Sequence, residues 1–222
     1  MGVALFDFDR TLIDVNSGTL WLRHEVRAGR VGWKDAVWAT IWFTRYHLGL
    51  ASGLDAAFEQ AVAAYKGMTD EELRALTVRF FEEEIAAHLR PGAREALDRH
   101  REAGDRLALC SSTTQYLAEL ACEAWDLELA ARTELEVADG VLTGRIASLA
   151  LGDHKTTRTL EWAAAESIDL TDCTFYTDSF TDVKLLREVG TPVVVHPDRQ
   201  LSREARRQGW QVADWGRAGP PT

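Results

Sequence analysis

Residues 4–14 read ALFDFDRTLID, and this stretch decides how the rest of the chain is interpreted. Apolar residues come first and two acids, Asp7 and Asp9, follow them, which is typical of a buried strand with a polar end. Side chains two positions apart lie on the same face of an extended strand, so we expect both carboxylates to face one spot. Taken alone, such a pair is most simply a solvated turn, so its meaning depends on polar residues elsewhere in the chain.

Length and composition are those of a globular protein: 222 residues, of which 46% are hydrophobic and 27% charged. The formal net charge of -10 argues against nucleic acid or an anionic membrane as a partner, because both require clustered Lys and Arg. The three widely spaced cysteines predict buried thiols in a reducing compartment. With no export signal and no apolar run of roughly 20 residues, we expect a cytoplasmic protein without a transmembrane segment. Gly and Pro in residues 216–222 suggest a frayed end.

Strands and helices alternate over most of the chain. The sequence predicts strands at residues 2–8, 106–110, 173–177 and 191–195, the last of them closing the series, and helices at 91–103, from 115 to about 125, 155–166 and 183–189. A hairpin is predicted around Asp139-Gly140, the strongest short turn signal in the sequence. This order predicts an α/β fold with a Rossmann-like, doubly wound parallel sheet and helices on both faces.

Residues 17–88 interrupt this alternation. The segment has helical spacing and no convincing strand, and Thr69 with the acids after it predicts a helix start. We expect an inserted all-helical cap domain at residues 16–88, which leaves a discontinuous core of residues 1–15 and 89–222. Its aromatic side chains either line a substrate pocket or pack the cap interior, and packing is the simpler interpretation. These side chains are Trp21, Trp33, Trp38, Trp42, Phe43 and Tyr46.

Polar side chains follow several predicted strands at the sheet edge where ligands bind in such folds. They are Asp7 and Asp9 after one strand, Ser111 and Ser112 after the next, and Asp178 and Asp182 after another. Lys155 stands at the start of a helix, in the stretch GDHKTT. Each of these has an ordinary explanation as a solvated acid, a surface lysine or a helix cap. Their joint occurrence in this order favours a functional site.

The converging residue types suit phosphoryl transfer. Asp7 and Asp178, with the main-chain carbonyl of Asp9, offer the oxygen ligands that Mg²⁺ takes. Asp7 is the candidate nucleophile, forming an aspartyl-phosphate, and Asp9 is the candidate general acid and base. Because carboxylates repel a phosphate dianion, positive charge and hydrogen-bond donors are also required. Lys155 and the Ser111 hydroxyl are the candidates for this role.

Four short motifs carry these residues in order. They are D-x-D-x-T at Asp7, Asp9 and Thr11, an apolar strand ending at Ser111, the lone Lys155, and D-S-x-x-D at Asp178, Ser179 and Asp182. On these motifs the sequence resembles the haloacid dehalogenase-like hydrolases, in particular their phosphoserine-phosphatase-like branch with a helical cap. The resemblance implies an Mg²⁺-dependent phosphatase with the roles given above, and an Asp182 that orients Lys155 or a metal-bound water. Thr11 and Ser112, the neighbour of Ser111, are further candidates for substrate binding.

Three positions depart from the pattern of this branch. Arg10 stands where relatives usually have Gly or Ser, so we expect an extra substrate-binding cation that faces the phosphate or the cap. Thr177 stands where Gly commonly precedes the metal-binding Asp. Asn16 replaces a Glu that recognises the substrate amine in phosphoserine-specific members, which disfavours phosphoserine as the substrate. Asp14 is expected to help the chain turn into the cap.

We therefore expect a phosphoric monoester hydrolase that acts on a small phosphorylated metabolite, with the cap closing over the site. A phosphotransferase using the same aspartyl-phosphate is the related alternative. A signalling receiver also phosphorylates an Asp, but it lacks the second acid two residues on and the inserted helical block. A non-catalytic phosphate-binding protein on the same fold is the remaining alternative, and it would be expected to have lost one of the four motifs.

Overall fold

The structure, a computed structural model, describes residues 2–30 and 54–219, with side chains in the second range from residue 58 onward. Within these residues the strands are β1 Val3–Phe6, β2 Arg106–Thr114, β3 Glu128–Ala138, β4 Val141–Ser148, β5 Cys173–Thr177, β6 Thr191–Val195 and β7 Gln211–Ala213. They form one sheet in the order β4-β3-β2-β1-β5-β6-β7. Neighbouring strands are parallel except for β3 and β4, which are antiparallel. The predicted α/β fold class is confirmed.

The helices of the described residues are α1 Ser17–Arg27, α2 Leu54–Ala63, α3 Asp70–Phe80, α4 Pro91–Glu102, α5 Gln115–Trp125, α6 Asp153–Ala165, α7 Val183–Glu188 and α8 Arg199–Gln208. Short helical turns lie at Phe8–Leu12, Phe81–Ile85, Ala86–His88, Leu170–Asp172 and Phe180–Asp182. Four of the described helices, α1 to α4, fall between β1 and β2, and the first three of them lie within residues 16–88. They agree with the predicted helical insert, whose boundaries stay a prediction.

The central strand β1 shows why the sheet is covered on both faces. All four of its residues are buried. Val3 and Leu5 pack into one apolar cluster, whereas Ala4 and Phe6 pack into another, because alternate side chains leave a strand on opposite faces. An uninterrupted apolar strand is therefore the expected signature of this position. Its neighbours β2 and β5 bring their carboxyl ends to the same edge as the end of β1.

The hairpin of β3 and β4 is also confirmed. Asp139 and Gly140 have φ of 51° and 75°, the left-handed pair that a tight two-residue turn requires. The structure adds that β3 starts at Glu128 and pairs in parallel with β2, so the hairpin extends the main sheet.

Several predicted boundaries are wrong. The first strand ends at Phe6 and not at residue 8, because the chain turns at residues 8–12. The strand predicted to end at residue 110 continues to Thr114, since β3 runs beside it. The last strand is β7, a three-residue edge strand whose exposed Gln211 and Val212 give no apolar signal. The predicted frayed end is wrong for Gly216 and Ala218, which are both hydrogen-bonded to the body of the protein.

Local signals account for the helices of the insert. Asn16 caps α1, because its side chain accepts a hydrogen bond from the Thr19 amide at 2.9 Å. Thr69 caps α3 in a capping box with Glu72, as its sequence context predicts. The Trp21 indole donates to the Tyr65 hydroxyl at 2.6 Å, which favours packing for this side chain. Trp33, Trp38, Trp42, Phe43 and Tyr46 lie outside the described residues.

Two crossings connect the helical insert to the sheet, and they pair with each other. Ile13 and Leu89 form an antiparallel bridge. On either side of it the Asp14 amide donates to the His88 carbonyl at 3.1 Å, and the Arg90 amide donates to the Leu12 carbonyl at 2.9 Å. We call these paired crossings, residues 12–14 and 88–90, the hinge.

Within residues 2–30 and 54–219, no helix combines the length and the apolar character that crossing a membrane requires. The cytoplasmic location stays a prediction.

Candidate active site

Asp7 is the first residue after β1, at the edge where the parallel strands end. Its amide continues the pairing with β5 by donating to the Tyr176 carbonyl at 2.9 Å. The chain then turns through residues 8–12, which we call the Asp9 turn. Inside it Asp9 is extended, with φ −64° and ψ 132°, and Arg10 is left-handed, with φ 57°. The expectation that strand periodicity aligns Asp7 and Asp9 is therefore wrong, because the turn places Asp9.

Lys155 joins two of the other motifs at this edge. It is the third residue of α6 and its side chain is almost fully buried. Its ammonium group donates to Asp7 Oδ1 at 2.7 Å and to Asp182 Oδ2 at 2.8 Å. Three residues that are distant in sequence thus form one buried ion-pair cluster, as the sequence predicts for converging side chains.

Asp182 is held by a residue whose role the sequence did not reveal. Thr177, the last residue of β5, donates its hydroxyl to Asp182 Oδ2 at 2.6 Å and accepts a hydrogen bond from the Ser179 amide at 3.2 Å. A glycine at position 177 would lack this hydroxyl. The Ser179 hydroxyl pairs with Thr181 at 2.9 Å, so Ser179 acts within its own turn.

Asp9 is anchored to the first helix of the insert. The Ser17 amide donates to Asp9 Oδ1 at 2.6 Å, and the Ser17 hydroxyl is 3.0 Å from Asp9 Oδ2. Ser17 begins α1, so the positive end of that helix faces the carboxylate. Sequence reasoning missed this contact, although a serine at a helix start is a common partner for a carboxylate.

Asp178 follows β5 and differs from the other acids. Its carboxylate has no hydrogen-bond partner within residues 2–30 and 54–219, although the residue is only 9% exposed. The loop that carries it is fixed through the main chain: the Asp198 amide donates to the Asp178 carbonyl at 2.9 Å. The Asp198 side chain in turn accepts from the Phe180 amide at 2.8 Å. Asp198 also caps α8, and this helix-start signal could have identified it.

Hydroxyl groups predicted to bind substrate lie on β2 and in the Asp9 turn. Ser111 is buried, and its Oγ accepts a hydrogen bond from the Thr113 amide at 3.1 Å. Ser112 is half-buried, and its carbonyl accepts from the Thr133 hydroxyl at 2.9 Å. The Thr11 hydroxyl is buried without a hydrogen-bond partner in the described part of the chain.

Arg10 is the exposed member of the Asp9 turn. Its amide donates to the Val15 carbonyl at 3.0 Å, and its carbonyl accepts from the Arg90 guanidinium. The Arg10 charge lies close enough to the acids of the site to lower the pKa of Asp178 and Asp9 against the larger effect of burial. The substrate-binding role of Arg10 stays a prediction.

Burial has the largest effect on the pKa values of Asp7, Asp9 and Asp178. It raises the pKa of Asp7 to about 7, although Lys155 opposes the shift. Burial, followed by the negative charge of Asp7, raises the pKa of Asp178 well above its ordinary value. Burial also raises the pKa of Asp9, while the hydrogen bonds from Ser17 lower it. For Lys155, burial lowers the pKa, but the charges of Asp182 and Asp7 raise it above its ordinary value, so the ammonium form is secure.

The acids outnumber the cations at this edge, and their donor atoms are all oxygen. The charges of Asp9 and Asp182 raise the pKa of Asp7 and Asp178 further, and the buried Lys155 contacts Asp7 and Asp182. No three Asp, Glu, His or Cys side chains of residues 2–30 and 54–219 form a metal site by themselves. The predicted set needs only the carboxylates of Asp7 and Asp178 and a main-chain carbonyl, which fits a hard cation that keeps several waters.

The fold and this arrangement define a class of protein. The family model of the haloacid dehalogenase-like hydrolases matches residues 4–187, and the chain belongs to that family. The enzyme class predicted from the sequence, a phosphatase of this family, is confirmed.

Three similar proteins extend over nearly the whole chain. The histidinol-phosphatase of Neisseria meningitidis serogroup C (strain 8013) is 31% identical over 218 residues, covering 96% of this chain and 98% of the relative. Phosphoserine phosphatase SerB1 of Mycobacterium tuberculosis (strain ATCC 25618 / H37Rv) is 32% identical over 216 residues, covering 96% and 70%. A crystal structure of a protein with unknown function from Bordetella pertussis Tohama I superimposes with a TM-score of 0.84 at 31% identity, covering 96% and 98%.

Proposed function

We propose that the protein is an Mg²⁺-dependent phosphatase that hydrolyses a small-molecule phosphomonoester through an aspartyl-phosphate on Asp7. The observation that carries this proposal is the buried contact of Lys155 with both Asp7 and Asp182, at 2.7 and 2.8 Å. Because Lys155 is held by Asp182, it can keep the Asp7 carboxylate oriented at the edge of the sheet. It also leaves a positive charge where a phosphate dianion must approach.

Asp7 is the proposed nucleophile. Lys155 holds its Oδ1, whereas Oδ2 has no hydrogen-bond partner within the described residues. In the first step this oxygen forms a bond to phosphorus, and the bond from phosphorus to the alcohol oxygen of the substrate breaks. In the second step water attacks the same phosphorus, inorganic phosphate leaves, and the Asp7 carboxylate is regenerated.

Asp9 is the proposed general acid and base. Burial raises the pKa of Asp9, which favours the protonated form that a general acid needs. Asp9 gives this proton to the departing alcohol oxygen and then takes a proton from the attacking water. The Ser17 contacts define one orientation of the carboxylate, in which Oδ1 and Oδ2 both accept hydrogen bonds.

The remaining site residues bind charge. The Ser111 hydroxyl and the Lys155 ammonium group would contact the phosphoryl oxygens, with Thr11 and Ser112 beside them. The unpartnered Thr11 hydroxyl supports this role, since a buried hydroxyl normally has a partner. Arg10 is proposed to add positive charge at the exposed side of the site.

Asp7, Asp178 and the Asp9 carbonyl would hold Mg²⁺, and Asp182 would orient Lys155. When bound, the cation would offset the negative charge of the carboxylates and of the phosphoryl group. The unpartnered carboxylate of Asp178 supports this assignment, because a buried charge without a partner is costly. We also propose the division into a cap at residues 16–88 and a core at residues 1–15 and 89–222.

The substrate is proposed to be a small metabolite other than phosphoserine. Asn16 supports this, because its side-chain oxygen already accepts hydrogen bonds from the Thr19 amide and hydroxyl at 2.9 and 2.8 Å. It cannot supply the carboxylate that the resemblance assigns to amine recognition at this position. The relative named for histidinol phosphate matches over 98% of its length, so histidinol phosphate is the first compound to test.

A phosphatase screen tests the proposal. Purified protein with Mg²⁺ is incubated with an aryl phosphate, histidinol phosphate, phosphoserine, phosphocholine and sugar phosphates, and released phosphate is measured. We expect hydrolysis that EDTA abolishes and added Mg²⁺ restores. Hydrolysis that is insensitive to EDTA would contradict the metal dependence, and a preference for phosphoserine would contradict the interpretation of Asn16.

A further inference from the structure

Arg90 is a buried cation outside the four sequence motifs. Its side chain is only 5% exposed, although Arg is rarely buried without a paired carboxylate. Within the described residues it makes no salt bridge. Its Nε and Nη2 donate to the Arg10 carbonyl at 3.2 and 3.1 Å, and its Nη1 donates to the Gly216 carbonyl. The guanidinium group is therefore committed to two main-chain oxygens.

One of these oxygens belongs to the strained residue of the Asp9 turn. Arg10 has φ 57° and ψ −4°, a left-handed conformation that a residue with a Cβ adopts only at a cost. Such a conformation persists where neighbouring groups hold it. Here the Arg10 amide is held by the Val15 carbonyl, and the Arg10 carbonyl is held by Arg90.

These two anchors determine the direction of the Asp9 carbonyl. The Asp9 carbonyl and the Arg10 amide belong to one planar peptide group, so fixing the amide fixes the carbonyl on its opposite side. Arg90 fixes the next peptide group. The Arg90 amide also donates to the Leu12 carbonyl at 2.9 Å, so Arg90 contacts the turn at two points, the Arg10 and Leu12 carbonyls.

The C-terminal segment supplies the second acceptor of Arg90. Gly92, in the first turn of α4, donates its amide to the Trp215 carbonyl at 3.0 Å. A Cβ at position 92 would lie 2.6 Å from the Trp215 Cα, so the segment lies directly against the helix start. The Ala218 amide donates to Asp14 at 2.9 Å. These contacts keep the Gly216 carbonyl where Nη1 of Arg90 meets it.

We propose that Arg90 is a positioning residue for the reaction: by holding the Arg10 carbonyl it sets the geometry of Asp9. This inference rests on the proposed function, because it assigns Arg90 to the same site. Its guanidinium group acts through the main chain of the turn and does not contact the substrate. Losing it would release the Arg10 carbonyl and leave Ser17 and the Val15 carbonyl as the remaining anchors of Asp9. Small displacements at a reacting centre reduce turnover strongly.

Steady-state kinetics of three variants test this assignment. Arg90→Ala removes the guanidinium, Arg90→Lys keeps the charge but not the forked donors, and Arg94→Ala is the matched control one helical turn later, at an exposed position. Thermal unfolding and circular dichroism give the folded fraction of each. Per folded molecule, we expect kcat to fall about 100-fold for Arg90→Ala and roughly 10-fold for Arg90→Lys, with a smaller change in KM. Arg94→Ala should match the wild type.

Chemical rescue separates positioning from a general structural role. Methylguanidinium chloride at millimolar concentration should restore kcat of Arg90→Ala, whereas methylammonium chloride should not. An unchanged kcat in a folded Arg90→Ala or Arg90→Lys protein would overturn the inference. A kcat loss that vanishes on correction for the folded fraction would also overturn it. If the wild type hydrolyses no phosphomonoester, the proposed function fails and this inference fails with it.

Discussion

Two clusters of buried charge lie close together in this protein, and they are built differently. At the edge of the sheet four acids lie together, and the buried Lys155 is hydrogen-bonded to two of them, Asp7 and Asp182. At the hinge, Asp14 accepts from the Ala218 amide and pairs with His88, and Arg90 donates to two carbonyls. These polar groups of the hinge have hydrogen-bond partners within the protein. The edge keeps an excess of carboxylates, whose charge is reduced by protonation, since burial raises the pKa of Asp7 and Asp178, or would be balanced by a bound cation.

The two clusters should therefore affect the stability of the fold in opposite ways. Burying charge without full compensation destabilises a fold, so a cluster of this kind persists at positions that bind or react. The hinge cluster contributes to stability directly, because each buried donor and acceptor has its partner. Substitutions at the edge should therefore change activity most, whereas substitution of Asp14 in the hinge should change stability first. Arg90 is the hinge residue that we expect to affect activity as well, because it contacts the Asp9 turn.

The largest expected effect follows from Asp7→Asn. The amide keeps the shape of the side chain but cannot attack phosphorus, so we expect phosphate release to fall by roughly 10³-fold or more. Activity is measured with the best substrate of the screen. Asp153→Asn, an exposed acid at the start of α6, is the matched control and should retain activity. Full activity of the folded Asp7→Asn protein would refute the nucleophile assignment.

Lys155→Met should damage both stability and activity. The change leaves Asp7 and Asp182 buried without their cation, and breaking a buried pair typically costs about 3–5 kcal/mol. At roughly 2–4 °C per kcal/mol for a chain of this size, Tm should fall by about 10 °C. Differential scanning calorimetry measures the shift. Lys184→Met removes an exposed ion pair with Asp153 and should leave Tm within about 2 °C. Equal shifts for the two variants would contradict the burial argument.

Asp178→Asn should abolish Mg²⁺-dependent activity while stabilising the metal-free protein. A carboxyl whose pKa is raised on folding binds its proton more tightly in the folded state, so its contribution is fully present below the unfolded pKa. This contribution to stability is lost as pH rises through the folded pKa. For Asp7 the pKa is 3.8 in the unfolded chain and about 7 in the folded protein, so the loss falls between these two pH values. Burial raises the pKa of Asp178 in the same direction. Stability in EDTA should thus fall over this pH range.

Urea unfolding in EDTA across that range gives the free energy of unfolding for both proteins. Asp178→Asn should be the more stable of the two near neutral pH and should lose less stability as pH rises. A destabilised variant at neutral pH would show that the Asp178 charge is already balanced within the protein.

At the hinge, substitution of an acid should lower the free energy of unfolding, the opposite of Asp178→Asn, and this effect should be the smallest of the four. Asp14→Asn exchanges one accepting oxygen for a donor that faces either His88 or the Ala218 amide, so it should destabilise the protein by about 1–2 kcal/mol. Urea unfolding measures this loss, and Asp98→Asn, an exposed acid in α4, is the control. A variant as stable as the wild type would remove the distinction between the two clusters.

The strands of the sheet core and the charged residues at its edge could be predicted from the sequence. Apolar runs such as β5 and β6 are buried on both faces, so their bounds are predicted to the residue. The alignment of Asp7 and Asp9 was misjudged because the turn after β1 depends on long-range anchors. Ser17, Thr177 and Arg90 also escaped prediction, because each acts through a contact with a residue that is remote or on another element.

Phosphorylation of Asp7 during turnover can be detected by chemical trapping of the intermediate. The protein is mixed with substrate and Mg²⁺, quenched, and reduced with borohydride, which converts an aspartyl-phosphate to homoserine. Fragmentation of the peptide that contains Asp7 and Asp9 by mass spectrometry then locates the change. We expect homoserine at position 7 alone, and only when substrate is present. Rapid turnover without modification, or modification at position 9, would contradict the assignment of Asp7 as the nucleophile.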